Sequence, residues 1–522
     1  MELGPHGVSA EAHRPLVAGR HGMVCAGHPL AAEAGTAILR TGGTAVDAAL
    51  AVAAALNVVE PNMSGIGGDG FIMVFEATSG QVRVMNATGP APSRATRESY
   101  LADGIPMKGI RSVSVPGLVS GWLQVHAAHG RLPLCDVFAP AMDLAANGFP
   151  ISQKLATGLA GESSLAQFPS SRAIFTDNGR PLAAGDLLVQ SDLAESFAAI
   201  AEEGEDGFYR GRISRAIQRC SDEYAGLLVA DDLGAYRARW QDAISVEYRG
   251  HEVFEAPPNS SGHVLLQMLN LVEPFDLAAL EANSSERIHL MVEAKKLAFA
   301  DREAYLADPD FTDVPVDGLL SKAYARARGR LIDADRAAVS VEAGDPWSHQ
   351  SSRRAAARLK TSADREDTTC FAVVDRRGNA VCQLQSLQSG FGSGLVVPGT
   401  GMLLNNRMTY WHLDPQHVDC LAPGKRVRHT MNPVMVLRDG RLVLVCAPPV
   451  PIRRSRVICR YSVTFSTTGT TSSKPSNRRA GATFRTIPNR PCPTPAPMSC
   501  YSKSASPPRF NLACGVSATP SG

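Results

Sequence analysis

No aspartate or glutamate occurs after Asp439, although 50 occur up to and including it. At the frequency of the earlier residues, the stretch that follows would hold about nine acids. Residues 450–522 instead carry eleven Lys and Arg and sum to +11, while the first 449 residues balance to −9. The bland net charge of +2 therefore joins two chemically different stretches. Also missing is any run of 18 apolar residues, which excludes a membrane-spanning helix. The first 23 residues have no apolar core of the length a secretory leader needs. The eleven cysteines never form a CxxC pair, which excludes a zinc knuckle and a compact disulfide scaffold. These absences lead to the expectation of a cytoplasmic protein with reduced thiols and no membrane partner. The basic residues of the tail are not clustered as in a nucleic-acid arm, so no nucleic-acid partner is expected either.

What is present is an ordinary globular composition, 44% hydrophobic and 20% charged, over a length that suits several domains or one large layered one. Pro29 to Arg40 reads as a helix closed by Gly42 and Gly43. Thr44 with Asp47 three residues on makes a capping box for a second, alanine-rich helix. A glycine-rich loop, Met63 to Gly70, feeds a hairpin of Phe71–Phe75 and Gln81–Met85 turning at Ser79 and Gly80. That loop lacks the Lys-Ser/Thr ending of a phosphate cradle and has no strand before it. From 115 to 310 the helical pattern dominates, most clearly over Ile288 to Ala307. Residues 335–366 are polar and weakly patterned, and are expected to form an exposed, mobile segment. Two hairpins follow, one joining Thr368–Asp375 to Ala380–Gln385 around Gly378, the other joining Val434–Leu437 to Arg441–Val445. Helices first and hairpins last, without βαβ alternation, predict an α+β layered fold.

The chemistry points to Asp367-Thr368-Thr369, where two hydroxyls open a strand directly after the polar segment. A threonine hydroxyl is a poor nucleophile unless a base sits beside it. A threonine that becomes a chain terminus supplies its own base, because an α-amine titrates near about 8. The preceding peptide bond must first break. Taken alone, paired β-branched residues are ordinary at a strand start.

Five further segments give the pair its meaning: Asn62 to Phe71 (NMSGIGGDGF), Pro257 to His263 (PPNSSGH), Ala300 to Phe311 (ADREAYLADPDF), Gly401 to Met408 (GMLLNNRM) and Pro423 to Arg426 (PGKR). In this order, across residues 20–446, they resemble the γ-glutamyltransferase family. The resemblance implies a four-layer αββα sandwich of the N-terminal-nucleophile hydrolase type. It also implies self-cleavage between Asp367 and Thr368, giving a large (α) subunit 1–367 and a small (β) subunit core 368–446, held together as an αβ heterodimer. Thr368 would attack a small-molecule amide and pass the acyl group to water or to an amine, with no metal or organic cofactor. Ser386 falls where the family places a threonine that orients the nucleophile's amine. Gln388 replaces an amide-bearing Asn. His429 and Thr430 occupy the place of a substrate-contacting Ser-Ser pair, so a hydroxyl survives at Thr430 only.

Three departures qualify that resemblance. Thr88 stands where glutathione-cleaving members carry the arginine for the glutamyl α-carboxylate. No acid follows Asn405 and Asn406 to hold the α-amine, and Arg407 stands there instead, free to take a carboxylate elsewhere on the acyl group. Each lost charge-assisted pair is worth roughly 1.5–3 kcal/mol. After Cys446 the resemblance stops. Val450 and Pro451 stand near the glycines of the family's oxyanion loop, and proline has no N–H to donate. Losing such a donor costs about 100- to 1,000-fold in rate. Residues 447–522 are thus an atypical basic Ser/Pro/Arg-rich tail, read as the product of a frame shift near residue 446. Three readings follow: γ-glutamyl transfer or hydrolysis, hydrolysis of another acidic acyl amide in the manner of acylases and amidohydrolases, or an inactive remnant.

Overall fold

The computed structural model describes residues 17–281, 283–350 and 367–446, with the backbone of Thr483 and Phe484. The first elements are β1 (Gly22–Cys25), α1 (Pro29–Arg40) and α2 (Ala45–Val59). Both helices begin where local signals place them. The Thr44 hydroxyl accepts the Asp47 amide at 3.1 Å, and the Asp47 carboxylate accepts the Thr44 amide at 2.8 Å, which closes the capping box. All fifteen residues of α2 are buried. Its many alanines keep it slim enough to pack against neighbours on every side.

The strands form two antiparallel sheets. The larger contains β2 (Asp69–Glu76), β3 (Gln81–Ala87), β4 (Arg239–Asp242), β7 (Asp367–Asp375) and β8 (Ala380–Gln388), in the order β1-β7-β8-β2-β3-β4. The smaller contains β5 (Ile244–Tyr248), β6 (His251–Glu255), β9 (Val434–Arg438) and β10 (Arg441–Cys446), in the order β5-β6-β9-β10. Strand alternation builds the layers. Phe71, Met73, Ala372, Val374, Cys382 and Leu384 point from the larger sheet onto Met435, Leu437 and Val445 of the smaller. Their neighbours Ile72, Val74, Phe371, Val373 and Val381 face the other way, into the core that α1 and α2 share. Beyond the smaller sheet, Val246, Val253, Val434 and Val436 pack on α4 (His263–Val272) and α5 (Ser285–Tyr305). The architecture is a four-layer αββα sandwich, as expected.

Two expectations are revised. The stretch 239–255, read as helical, supplies β4, β5 and β6. Residues 335–350, read as mobile, are tied to α5: Glu293 accepts the Ala338 amide at 3.2 Å, Lys296 donates to the Ala338 carbonyl at 2.6 Å, and Asp301 accepts the Gly344 amide at 2.9 Å. Residues 351–366 lie outside the described residues. Among the described residues, no helix is long and apolar enough to cross a membrane.

Candidate active site

The hairpin β7–β8 is regular until its open end. Thr369 pairs with Gln385, but Asp367 pairs with Gln388, so Ser386 and Leu387 together oppose Thr368. This is a β-bulge, a device that re-aims side chains. Gln388 adopts φ +92°, in the left-handed region that residues other than glycine seldom enter. On the far side of β8, Ser386 pairs with Asp69 of β2. Thr88 directly follows Ala87, which pairs with Gly70. Thr368, Ser386, Asp69 and Thr88 therefore form one row across the ends of four adjacent strands. They share the alternation of Cys370, Leu384, Phe71 and Val84, which places the row on the face toward the smaller sheet. All four are buried, as are Gln388, Arg407 and His429, while Thr430 is half-buried.

Backbone packing explains the glycine-rich loop before β2. A β-carbon on Gly68 would sit 2.5 Å from the Ser386 carbonyl oxygen, and one on Gly67 would sit 2.2 Å from that of Leu403. The loop presses against the row and against the segment carrying Asn405. Asn405 then fixes Arg407: its Oδ1 accepts the amides of Ser114 and Arg407 at 3.0 Å each, and its Nδ2 donates to the Gly67 carbonyl at 2.9 Å.

Arg407 is the first surprise of the site. Its Nε donates to Oδ2 of Asp69 at 3.3 Å, and its guanidinium lies over the Tyr410 ring at 5.2 Å. Oδ1 of Asp69 accepts the Gly89 amide at 2.9 Å. Burial pushes the Asp69 carboxyl up to about 6, against the opposing pull of Arg407 and of the Gly89 and Gly117 amides. His429 completes the group, with Nε2 3.9 Å from Asp69 and its ring edge-on to Phe71. Burial first, and then the Arg407 charge, hold this imidazole well below its ordinary value, so it is neutral. Neither ring nitrogen has a hydrogen-bond partner among the described residues. The backbone of His429 is clamped instead, its amide donating to the Asn259 carbonyl at 2.7 Å and its carbonyl accepting the Ser261 amide at 2.8 Å.

Thr88, at the other end of the row, sits in a neutral network. Its hydroxyl donates to Asn86 at 2.6 Å, Asn86 donates to Asn259 at 2.9 Å, and Asn259 donates to the Val427 carbonyl at 2.6 Å. An arginine does reach this corner, but from another loop: Nε of Arg426 donates to the Thr88 carbonyl at 3.2 Å. The opposite face of β7 has its own anchor. The Thr369 hydroxyl donates to Oε2 of Glu60 at 2.8 Å, and Lys154, on α3 (Gln153–Gly161), meets Oε1 at 3.1 Å.

The structure thus gathers Thr368, Ser386, Gln388, Thr88, Arg407 and His429 at one end of the sandwich, with Thr430 next to His429. Sequence reasoning missed Asp69, Glu60, Asn259 and the fixing role of Asn405. The signal for Asp69 was an acid inside a loop otherwise made of small and apolar residues. The segment around Val450 and Pro451 lies outside the described residues.

Two antiparallel sheets between helical layers, with a hydroxyl at a bulge opening an interior strand, define a hydrolase of the N-terminal-nucleophile type. Comparison with known proteins narrows this class. The family model for gamma-glutamyltranspeptidase matches residues 31–447, and the chain belongs to that family of hydrolases and transferases. A glutathione hydrolase-like YwrD proenzyme of Bacillus subtilis is 39% identical over 428 residues, covering 81% of this chain and 78% of that protein. The acylase ACY 1 proenzyme of Pseudomonas sp. strain SE83 is 39% identical over 451 residues, covering 83% and 77%. The crystal structure of cephalosporin acylase from Bacillus halodurans superposes with a TM-score of 0.75 at 34% identity, covering 85% of this chain and 80% of that one.

Proposed function

We propose that this chain is a self-cleaving amidase in which Thr368 is the nucleophile, and that its acyl group lacks the free α-amino-acid end of a γ-glutamyl compound. The first part is supported by the bulge that sets Thr368 beside Ser386 at the opening of an interior strand. In the precursor, the Thr368 hydroxyl attacks the Asp367 carbonyl carbon, its proton passes to the departing amide nitrogen, and water hydrolyses the resulting ester. The products are the Asp367 carboxylate and a free Thr368 α-amine. That amine then takes the hydroxyl proton as Thr368 attacks a substrate amide, and returns it to the leaving amine. Water or a second amine releases the acyl group from the ester. Ser386 supplies the neighbouring hydroxyl that orients the α-amine, and Gln388 the side-chain amide beside it. The large fragment 1–367 and the fragment from Thr368 stay together as an αβ heterodimer, because β7 and β8 lie between β1 and β2.

The second part rests on the Asp69–Arg407 pair. The one acid of the row, Asp69, is already tied to Arg407 and so is not on offer to an α-amine, and Thr88 is engaged in a neutral network, so the clamp for a zwitterionic end is incomplete. This favours the relatives called acylases over those called glutathione hydrolases as guides to the substrate. Parallel assays with γ-glutamyl-p-nitroanilide, glutaryl-p-nitroanilide and an oxamate-like anilide decide the point. Turnover of glutaryl or oxamate amide without turnover of the γ-glutamyl compound is expected, and the reverse pattern sinks this reading of the acyl group. We further propose that the protein works in the cytoplasm with reduced thiols, which is supported by the unbridged cysteines Cys25, Cys135, Cys220, Cys370, Cys382, Cys420 and Cys446.

A further inference from the structure

Cleavage turns Thr368 from a residue inside a chain into the first residue of one, and strand ends fray. An N-terminal nucleophile needs a tether immediately downstream, on a face that the substrate does not use. Thr369 is so placed. Its side chain points away from the row of the active site, toward the layer of α1 and α2, and it is buried there. Its hydroxyl donates to Oε2 of Glu60 at 2.8 Å. Glu60 is itself held on three sides: its amide donates to the Leu56 carbonyl at 2.9 Å as the last cap of α2, its carbonyl accepts the amides of Met63 and Ser64 at 2.9 and 3.2 Å, and Lys154 meets Oε1 at 3.1 Å. The space is tight, since a β-carbon on Gly27 would come within 3.1 Å of Oε2. The Met63 carbonyl in turn accepts the amide of Leu387, in the bulge opposite Thr368. Glu60 thereby joins the end of α2 and the glycine-rich loop, through its backbone, to the residue after the nucleophile, through its carboxylate.

We propose that Glu60 is a positioning residue for the reaction: through Thr369 it fixes Thr368 before cleavage, when the hydroxyl must reach the Asp367 carbonyl, and after it, when the new α-amine must stay beside the hydroxyl. The inference rests on the assignment of Thr368 made above. Glu60 touches no reacting atom. Its removal leaves nucleophile and pocket chemically intact, releases Lys154 on α3 and loosens the start of β7.

Two measurements on the full-length chain test this. In the first, hydrogen–deuterium exchange is followed by mass spectrometry in an uncleavable Thr368→Ala background, with and without Glu60→Ala or Thr369→Val. Exchange over residues 368–371 is expected to quicken about tenfold, the scale of one buried hydrogen bond, in either variant and no further in the double one. In the second, self-cleavage is timed in chains that keep Thr368. Glu60→Ala and Thr369→Val are expected to slow it about tenfold, and Thr369→Ser, which keeps the hydroxyl, to restore it. Slower turnover with unchanged KM in the matured variants agrees with positioning. Unchanged exchange at 368–371, or loosening spread evenly over α2, β7 and β8, overturns the proposal. If the native chain fails to cleave at all, the assignment of Thr368 falls, and the exchange result alone decides whether the tether exists.

Discussion

Asp69 and Arg407 form a buried charge pair, and their balance shifts within an accessible pH range. Asp69, pushed up to about 6 by burial, takes a proton below that value, and Arg407 then loses its counter-charge. An anionic acyl group should bind better on the acid side, and KM for glutaryl-p-nitroanilide should rise by up to about tenfold as pH climbs through 6. His429 does not confuse the reading, since it stays neutral throughout. The KM for an uncharged butyryl anilide should stay flat. Asp69→Asn should give a low, pH-independent KM for the glutaryl compound, and a surviving rise in that variant would show that another group governs binding. None of this was legible in the sequence. Arg407 lies 338 residues from its partner, so the apparent freedom of its charge was an artefact of reading along the chain. The proposed role of Thr368, by contrast, could be read from the sequence, though from the five family-like segments elsewhere in the chain and not from the Thr-Thr pair itself, which is ordinary at a strand start.

The elements that sequence reasoning placed correctly are those specified locally. α1 and α2 carry their own caps, and the hairpins β2–β3, β7–β8 and β9–β10 carry their own turns. β5 and β6 were hidden because Val246, Tyr248 and Val253 are their few inward residues, interspersed with Glu247, Arg249 and Glu252. β6 also meets β9 across some 180 residues of chain. The anchoring of 335–350 was hidden because Glu293 and Asp301, which hold it, lie 45 and 43 residues earlier in the chain. Two predictions belong to this scale. Gly68→Ala drives a methyl into the Ser386 carbonyl, 2.5 Å away. Overpacking of this kind should cost about 1–3 kcal/mol and shift the bulge, so both the melting temperature and self-cleavage should fall. Unimpaired cleavage would mean that the loop does not set the position of Ser386. At the start of α4, His263 is wholly buried and held down to about 3 by burial and by the Arg302 charge, with no hydrogen-bond partner for either ring nitrogen among the described residues. Its unfolded form titrates near 6.5, so the stability tied to its neutral state is present above that pH and is lost as pH falls toward 3. His263→Leu should remove about 1.4 kcal/mol of this loss per pH unit below 6.5, and melting curves that keep their acid slope in the variant would contradict it.

At the scale of the whole molecule, both proposed fragments contribute interior strands, so the sandwich forms in the precursor and survives the cut. What sets this chain apart from its relatives is its last part. The family match ends at residue 447, and the stretch without acids begins immediately after Asp439. Among the described residues, β10 pairs with β9 alone. The proposed explanation is a change of reading frame near residue 446. Resequencing the gene, or translating its other frames, should reveal a family-like glycine-rich continuation. A chain rebuilt with it should turn over amides at least about 100-fold faster, the worth of one oxyanion donor. Absence of any such continuation would leave residues 447–522 as native sequence and count against the change of frame.

The central claim is that Thr368 cuts the chain before itself and then serves as the nucleophile. The intact mass of the purified protein, recorded beside that of Thr368→Ala, tests it most directly. Two fragments dividing between Asp367 and Thr368 in the native protein, and one undivided chain in the variant, are the predicted result. A single uncut chain in both samples, or a cut that persists without the threonine, would contradict it.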